Sequence, residues 1–412
     1  MNKFKQEIII QRRQFLRQAG AFLVGIMSLS TKSWATAMNN LSFRNGEREL
    51  IAYPQKRKLM RISTRPPNLE TPFEVFNEGV LTPNNAFFVR YSLAGIPLTI
   101  DPESYRLNIL GHIDRPLSLS LGDLKSMGKA EVVAVNQCAG NSRGYASPRV
   151  FGAQVGNGSM GNARWVGVPL KSVLEKAGIK SGATLITFNG LDKPVLPETP
   201  DFIKALTIEH AMNGEPILAW EMNGEDIPFL NGYPLKLVVP GYFGTYWVKH
   251  LGEITVIDKA FEGHDSFFMN KGYRIPDNEC LCLPPGTSAS KTKEISRLKI
   301  RSFITNLKSG QQVKFDQLVK IKGIAFDGGS GIKQVDLSQD GGLTWNATSL
   351  AKDLGRFSFR EWHLDFIPKR KGEITLMVRA TSNGGEVQPM TATWNPAGYQ
   401  RNVIEFMELL VV

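Results

Sequence analysis

The sequence has little of what several common protein classes require. Only three of its 412 residues are cysteine, so no framework of disulfides stabilises the fold. No apolar run reaches the roughly 18–20 residues that a membrane-spanning helix needs, so we expect no span in the mature chain. A GxxxxGK[ST] sequence is absent, so a nucleoside triphosphate is not favoured, and no GxGxxG run directly joins a predicted strand to a predicted helix, so a nicotinamide cofactor is not favoured either.

The distribution of charge does not favour a nucleic-acid partner. The net charge is +11, yet dense Lys/Arg clusters are missing, which disfavours a nucleic-acid partner and suits small anions or an acidic protein. Hydrophobic residues make up 42% and charged residues 21% of the chain, a globular composition, and the length predicts two or three domains.

The first 37 residues resemble a processing signal. Arg12-Arg13-Gln14-Phe15-Leu16 is a twin-arginine pair followed by a short apolar stretch from Ala19 to Ser30. Ala35-Thr36-Ala37 then fits a small-x-small cleavage site. The pattern predicts a twin-arginine signal peptide over residues 1–37 and a periplasmic protein exported folded, typically with a cofactor already inserted. The alternative is an amphipathic helix that caps the fold.

Residues 38–285 show an irregular mixture of strand and helix signals. Residues 38–70 are polar and predict an extended arm. The spacing at Leu170–Ala177, closed by Gly178, predicts a helix. Strands are predicted at Tyr105–Leu110, Glu131–Val135, Thr184–Phe188, Lys236–Val239 and Gly252–Ile257. The fold class is therefore α+β, and the alternation is too irregular for a doubly wound parallel sheet.

A second domain is predicted over residues 296–412. Prolines and a Thr/Ser/Lys stretch over residues 276–296 predict a linker. Beyond it, Gly-containing turns separate predicted strands at Leu298–Ile304, Gln317–Phe326, Ile332–Ser338, Trp362–Phe366 and Glu373–Ser382. This rhythm is typical of an immunoglobulin-like β-sandwich, although the cysteine pair of antibody domains is missing.

Cys138 is the most informative residue for chemistry. It stands between a predicted strand and Ala139-Gly140-Asn141-Ser142-Arg143, where the glycine permits close backbone approach and the adjacent arginine would favour a thiolate. The five histidines lie in unrelated contexts, so a cysteine protease or a zinc hydrolase has little support. A thiolate ligand to a soft transition metal remains open, as does an ordinary buried cysteine.

Three other segments contain residues that are candidates for a chemical role. Cys280 and Cys282 are separated by one residue, which predicts poor geometry for a mutual disulfide and a structural or incidental role. Arg90 lies in an apolar run and predicts either an anion contact or a surface salt bridge. The Gly- and Pro-rich stretch from Asn231 to Lys249 predicts either an anionic-cofactor site or a plain hairpin.

These clusters together resemble the sulfite oxidase family of molybdenum enzymes. The resemblance rests on Gln137-Cys138-Ala139-Gly140-Asn141-x-Arg143, Gly161–Trp165, Val239–Lys249 and Trp394–Tyr399. Tyr246–His250 and Gly272–Pro276 are most similar to bacterial periplasmic sulfite dehydrogenases that pair with a c-type cytochrome.

The resemblance implies a mixed α+β molybdopterin-binding domain followed by an immunoglobulin-like domain of the dimerisation type, and hence a possible homodimer. It implies one Mo-molybdopterin, with Cys138 as the protein ligand to molybdenum. The substrate anion, sulfite, would face Arg90, Tyr273 and Arg143. The cofactor would be held by Phe88, Arg90, Tyr91, Ser92, Asp192, Asn231, Lys236, Trp247, Val248 and Lys249. Sulfite would become sulfate by oxygen-atom transfer, and electrons would leave singly to a separate c-type cytochrome.

The sequence departs from the family at three places. Ser92 stands where the family commonly has histidine, Asn231 and Lys236 stand where animal members have histidine and arginine, and Ala397 replaces an arginine of animal enzymes. Sulfane-sulfur oxidation, sulfoxide reduction and a non-enzymatic binding module remain as alternatives.

Overall fold

A computed structural model describes residues 48–412. The predicted signal peptide and the start of the predicted arm lie outside these residues. In residues 48–295 the strands are β1 (Leu50–Ile51), β2 (Leu59–Ser63), β3 (Asn68–Glu70), β4 (Val89–Arg90), β5 (Leu107–Gly111), β6 (Leu117–Leu119), β7 (Ala130–Gln137), β8 (Met160–Pro169), β9 (Leu185–Gly190), β10 (Ile203–Thr207), β11 (Ile217–Met222), β12 (Glu225–Asp226), β13 (Lys236–Val238), β14 (Leu251–Ile257), β15 (Arg274–Pro276) and β16 (Thr292–Glu294).

The helices of the described residues are few and short. The α-helices are α1 (Leu121–Ser126), α2 (Leu170–Ala177), α3 (Ile208–Met212) and α4 (Phe267–Asn270). Single 3₁₀ turns occur at Phe73–Asn77, Asn84–Ala86, Arg143–Tyr145, Phe229–Asn231, Gly244–Tyr246 and His264–Ser266. No helix in residues 48–412 is long and apolar enough to cross a membrane.

The remaining strands belong to the C-terminal part of the chain. They are β17 (Arg301–Ile304), β18 (Gln311–Val313), β19 (Val319–Phe326), β20 (Ile332–Ser338), β21 (Asn346–Ala347), β22 (Ser349–Leu350), β23 (Arg360–Phe366), β24 (Gly372–Ser382) and β25 (Phe406–Val411). They form two sheets, in the orders β17-β19-β23-β22 and β18-β25-β24-β20-β21. Inward side chains of both sheets, such as Trp362 and Leu376, share one buried core.

Three sheets build the part that precedes it. Their orders are β1-β2-β3-β4, β10-β9-β14-β5-β6 and β12-β11-β8-β7, with β13 pairing with β11. Strand pairing in the described chain is mainly antiparallel, with β14–β5 and β18–β25 as the parallel pairs. A large apolar core that includes Trp165, Leu174 and Phe188 lies among these elements.

A second apolar cluster joins the two parts. Val135, Ala139 and Phe243 from the first part pack with Phe303 and Phe359 from the second. Because Ala139 follows Cys138 directly, the C-terminal sheets support the backbone on which this cysteine lies.

Most predicted elements occur where the patterns place them. Helix α2 spans Leu170–Ala177, and Gly178 ends it with a φ of +73°. Each predicted strand overlaps an observed one, within about three residues at either end. The predicted extended arm is wrong for residues 48–70, because these residues contribute β1, β2 and β3 to a sheet. The linker prediction missed the hairpin of β15 and β16.

Strands β8 and β11 were not predicted. β8 is buried along nearly its whole length, so it lacks the alternation of apolar and polar residues that identifies a half-exposed strand. Gly167 of β8 is required by the neighbouring strand, since a Cβ there would lie 2.1 Å from the Leu218 carbonyl oxygen. The run Gly156–Gly161 has GxGxxG spacing, but it leads into β8 rather than into a helix and so lacks the dinucleotide-binding context.

The predicted poor disulfide geometry of Cys280 and Cys282 is wrong, because the two residues form a disulfide. Leu281 between them has a φ of +52°, and this left-handed residue brings the two Cα atoms to 5.1 Å. Both the amide and the carbonyl of Cys282 are held by the Asn278 side chain, at 3.1 and 2.7 Å. The sequence spacing alone could not reveal this backbone conformation.

Candidate functional site

A cleft lined by charged side chains and aromatic rings lies at the ends of β4 and β7. The lining comes from segments far apart in sequence: Phe87, Phe88, Arg90, Tyr91, Ser92, Asn136, Cys138, Ala139, Asp192, Phe202, Asn231, Lys236, Gly244, Thr245, Trp247, Lys249 and Tyr273. Strand ends and loops therefore converge on a single cavity, the arrangement in which binding sites commonly occur.

Cys138 is held at the end of β7 by backbone contacts on both sides. Its amide donates to the Ser159 carbonyl at 2.9 Å, and its carbonyl accepts from the Asn141 amide at 2.9 Å. The Asn141 side chain in turn accepts from the Ser159 amide at 3.0 Å. The thiol is free and partly exposed to the cleft. The protein thus presents one fixed thiol to the cavity.

Glu70 fixes the loop that faces Cys138. This side chain is buried, and its two carboxylate oxygens accept from the Gly156 and Gly158 amides, each at 2.8 Å. Burial raises the pKa of Glu70, while the two amide hydrogen bonds act in the opposite direction. Since Ser159 follows this loop and holds the Cys138 amide, Glu70 stabilises the position of the thiol indirectly.

The C-terminal sheets also reach the cysteine loop, by which we mean residues 138–143. The buried Arg301 donates to the Ser142 hydroxyl and to the Glu405 carboxylate, both at 2.9 Å. The Gln400 amide donates to the Ala139 carbonyl at 3.1 Å. The second part of the chain is therefore a structural component of this site.

Cationic side chains are in excess around the cleft. Arg90, Lys236 and Lys249 line it, and Asp192 is the acidic residue of its lining. Lys56 lies directly behind, where its ammonium donates to the Phe87 carbonyl at 3.1 Å and to the Asn231 side chain. Burial lowers the pKa of Lys56 to about 7, with a further lowering from Lys236.

Lys236 and Lys249 are similarly perturbed. Burial lowers the pKa of Lys236 to about 7, and its ammonium lies 4.7 Å from the centre of the Trp165 ring. Burial lowers the pKa of Lys249 well below its ordinary value, while its ammonium donates to the Arg90 carbonyl at 2.7 Å. Buried ammonium groups with so few carboxylates nearby are costly unless an anion neutralises them.

These features fit a phosphate-bearing pterin with a metal. Among the described residues, Asn136 Oδ1 and Thr245 Oγ1 line the cleft as buried polar atoms without hydrogen-bond partners. The excess of ammonium groups suits a phosphate. No cluster of three His, Cys, Asp or Glu residues in residues 48–412 could hold a metal alone. A metal bound to Cys138 would need further ligands from a cofactor, as the dithiolene sulfurs of molybdopterin provide.

Tyr273, Arg90 and Ser92 form one end of the cleft. The Tyr273 hydroxyl is 3.2 Å from the Ser92 hydroxyl. Arg90 lies in β4, and one of its nitrogens is 3.3 Å from the Asn68 side-chain oxygen, which leaves the rest of the guanidinium available to an anion. These groups can donate hydrogen bonds to several oxygens of a small anion at once.

The structure brings together most of the predicted site residues, with two exceptions. The Arg143 guanidinium does not line the cleft, because it donates to the Ala397 and Ala153 carbonyls at 2.8 and 3.2 Å. Val248 is buried in the apolar core beside the cleft rather than lining it. Lys56, Asn136, Thr245 and Phe202 were missed. No local sequence pattern identifies Lys56 as a site residue, because its partner Asn231 lies 175 residues away in the sequence.

Two family models match the chain. One is described as the oxidoreductase molybdopterin binding domain and matches residues 93–265. The other is the Mo-co oxidoreductase dimerisation domain and matches residues 292–406.

Curated relatives and one solved structure agree with these matches. Sulfite oxidase of Arabidopsis thaliana is 31% identical over 382 residues, covering 86% of this chain and 94% of the relative. Mitochondrial sulfite oxidases of Macaca fascicularis and Rattus norvegicus are 35% and 33% identical, over 82% and 87% of this chain. The chain spans 63% and 67% of their lengths. The crystal structure of the sulfane dehydrogenase SoxCD from Paracoccus pantotrophus matches with a TM-score of 0.71 and 25% identity, covering 88% of this chain and 87% of that one.

Proposed function

The chain belongs to the sulfite oxidase family of molybdenum enzymes, and from this premise we propose that it oxidises sulfite to sulfate and delivers the electrons singly to a c-type cytochrome. The observation that carries the proposal is the fixed Cys138 thiol at a cation-rich cleft, since no group of three His, Cys, Asp or Glu residues in residues 48–412 could hold a metal alone. Mo-molybdopterin, when bound, supplies the two-electron redox chemistry and the oxygen-atom transfer.

The protein residues hold and orient the cofactor. Cys138 would provide the thiolate ligand, which suits a metal of soft ligand preference. Lys56, Lys236 and Lys249 would neutralise the phosphate, and the phosphate would favour their protonated forms. The buried oxygens of the Asn136 and Thr245 side chains would accept hydrogen bonds from donors of the pterin.

The other end of the cleft would bind the substrate anion. Arg90 would make a charge-assisted contact, and Tyr273 and Ser92 would add hydroxyl donors. Arg143, which hydrogen-bonds to Ala397, would act by fixing the cysteine loop rather than by touching the anion. These fixed donors would stabilise charge that develops during oxidation without reorganising.

Sulfane-sulfur oxidation is the second candidate. It is favoured by the match to a sulfane dehydrogenase over nearly the whole described chain. Sulfite-dependent and thiosulfate-dependent reduction of cytochrome c by the purified, molybdenum-loaded protein distinguish the two. We expect turnover with sulfite; turnover with thiosulfate alone would support the second candidate, and a protein without molybdenum would support a binding module.

Ser92 predicts an unusual dependence on pH. Histidine at this place would be charged below a pKa near 6.5 and neutral above it, so it would bind an anion more tightly at pH 6 than at pH 8. Serine carries no charge at either pH. We expect the KM for sulfite to vary less with pH between about 6 and 8 in the wild type than in Ser92→His. Superimposable KM profiles of the two proteins would show that residue 92 does not face the anion.

The twin arginines predict the route of export. We propose that residues 1–37 direct the loaded, folded chain to the periplasm by the twin-arginine pathway. Replacing Arg12 and Arg13 with lysine is expected to reduce periplasmic molybdenum-containing protein at least about tenfold. Cell fractionation with an exported reference protein measures this, and normal periplasmic amounts would refute the signal.

Assembly is a further part of the proposal. The match of residues 292–406 to a dimerisation domain supports a homodimer through the C-terminal domain, which we propose to be the immunoglobulin-like sandwich of the predicted fold. A c-type cytochrome would then join as acceptor or as a second subunit. Light scattering of the purified protein measures its molar mass and so tests the homodimer. The same measurement with cytochrome c added tests the association with the cytochrome.

A further inference from the structure

Two stacked tyrosine rings lie between two cations beside the cleft. The Lys204 ammonium lies 5.4 Å from the centre of the Tyr273 ring. Tyr273 stacks on Tyr399 with ring centres 5.6 Å apart and planes 16° apart. The Arg143 guanidinium lies 5.0 Å from the centre of the Tyr399 ring. We name Lys204, Tyr273, Tyr399 and Arg143 the tyrosine stack. Tyr273 is the member that lines the cleft.

Lys204 is the unusual member of the tyrosine stack. It lies in β10 with 1% of its surface exposed, and it has no ion pair with a carboxylate of the described residues. Its ammonium donates to the Phe268 carbonyl at 2.7 Å and lies 4.5 Å from the centre of the Tyr246 ring. Lysine is rarely buried in this way without a partner, so its contacts with the two rings require an explanation.

The surroundings of Lys204 determine when it is charged. Burial lowers its pKa to about 7, Glu294 raises the pKa and Arg274 lowers it. Burial raises the pKa of Tyr246, whose ring Lys204 also contacts, so this phenol stays neutral while the lysine titrates. Lys204 is therefore mainly charged at pH 6 and mainly neutral above pH 8.

We propose that Lys204 is a positioning residue for the bound oxyanion, acting through Tyr273. A cation against the phenol ring stabilises negative charge that shifts onto the hydroxyl oxygen when the hydroxyl donates to an anion. The hydroxyl is then a stronger donor, and the affinity of the cleft for oxyanions depends on whether Lys204 is charged. This inference rests on the proposed function only in assuming that an oxyanion binds beside Tyr273.

Sulfate is the appropriate probe, because it remains a dianion throughout pH 6–9 and binds without turnover. Titration calorimetry of the molybdenum-loaded protein with sulfate would be done at four pH values across this range. In the wild type we expect the Kd for sulfate to rise about 5- to 30-fold between pH 6 and pH 9. Because Lys204 loses its charge as pH rises through its pKa, the affinity is highest below pH 7.

Three variants isolate the effect. Lys204→Met should bind sulfate about 5- to 30-fold more weakly at pH 6 and lose that part of the pH dependence. Lys204→Arg keeps its charge across the range and should keep tight binding up to pH 9. Lys271→Met removes an exposed lysine of the segment that precedes Tyr273 and should behave as the wild type.

The outcomes are decisive for Lys204. A wild type with a flat profile, or a Lys204→Arg variant that keeps the wild-type profile, would overturn the proposal. Molybdenum content and thermal unfolding show whether Lys204→Met folds; if it does not, the comparison of Lys204→Arg with the wild type still decides. If the expected sulfate pattern appears but sulfite is not oxidised, the proposed function fails and the role of Lys204 stands.

Discussion

Replacing Cys138 with serine is expected to abolish sulfite oxidation in a protein that still folds. A serine hydroxyl is a hard, mainly neutral group and a poor replacement for a thiolate on a soft metal. Changes to residues that merely orient a metal ligand already cost about 10- to 100-fold in metal affinity or activity, so kcat should fall by more than about 100-fold. Steady-state turnover with sulfite and cytochrome c measures this effect.

The fold should survive because the loop is held by groups other than the thiol. The Cys138 amide and carbonyl, the Asn141 side chain and Glu70 keep their hydrogen bonds in the variant. Cys282→Ser is the matched control, since it also replaces a cysteine sulfur with a hydroxyl oxygen, but at a residue outside the cleft. It should lose its disulfide but retain turnover. Unchanged turnover in Cys138→Ser would show that this thiol is not a metal ligand.

Replacing Arg90 with glutamine is expected to weaken catalysis without removing the cofactor. Arginine can make a two-point, charge-assisted contact with an oxyanion, which glutamine cannot. A charge-assisted hydrogen bond contributes about 1.5–3 kcal/mol, so kcat/KM for sulfite should fall roughly 10- to 150-fold. Stopped-flow or steady-state kinetics would show the loss.

Two comparisons separate this role from a structural one. Arg90→Lys keeps the positive charge but cannot make the two-point contact of a guanidinium. Its kcat/KM should therefore lie between those of Arg90→Gln and the wild type. Arg61→Gln removes an arginine whose partner is the exposed Glu49 and should change kcat/KM less than about twofold. An effect of Arg90→Gln below about threefold would place the anion elsewhere in the cleft.

Local signals were enough to predict the elements that present the chemistry. The strand before Cys138 could be predicted because β-forming residues run from Glu131 to Val135, although the observed strand β7 continues to Gln137, where a turn was expected. Helix α2 could be predicted with both ends, since apolar spacing and a C-terminal glycine agree. β8 could not, because a strand buried on both faces and interrupted by glycines has no periodic signal.

Long-range contacts explain what the sequence did not reveal. Lys56 lies in a polar segment, and its importance appears only when the fold brings it against Asn231. Arg143 is adjacent to the cysteine loop in sequence, but Ser142 before it has a φ of +70° and the chain turns its guanidinium toward Ala397. Lys204 contacts Tyr273 across 273 − 204 = 69 residues. Residue type can identify a candidate cation, whereas only the tertiary structure shows which group it meets.

The substrate preference of the molybdenum-loaded enzyme distinguishes sulfite oxidation from sulfane-sulfur oxidation. The ratio of kcat/KM for sulfite to kcat/KM for thiosulfate would be measured on the same preparation, with molybdenum content determined and cytochrome c as acceptor. We expect about one molybdenum per chain, two cytochromes reduced for each sulfite consumed, and a ratio well above about 100. A ratio below one in a fully loaded protein would contradict sulfite oxidation as the function.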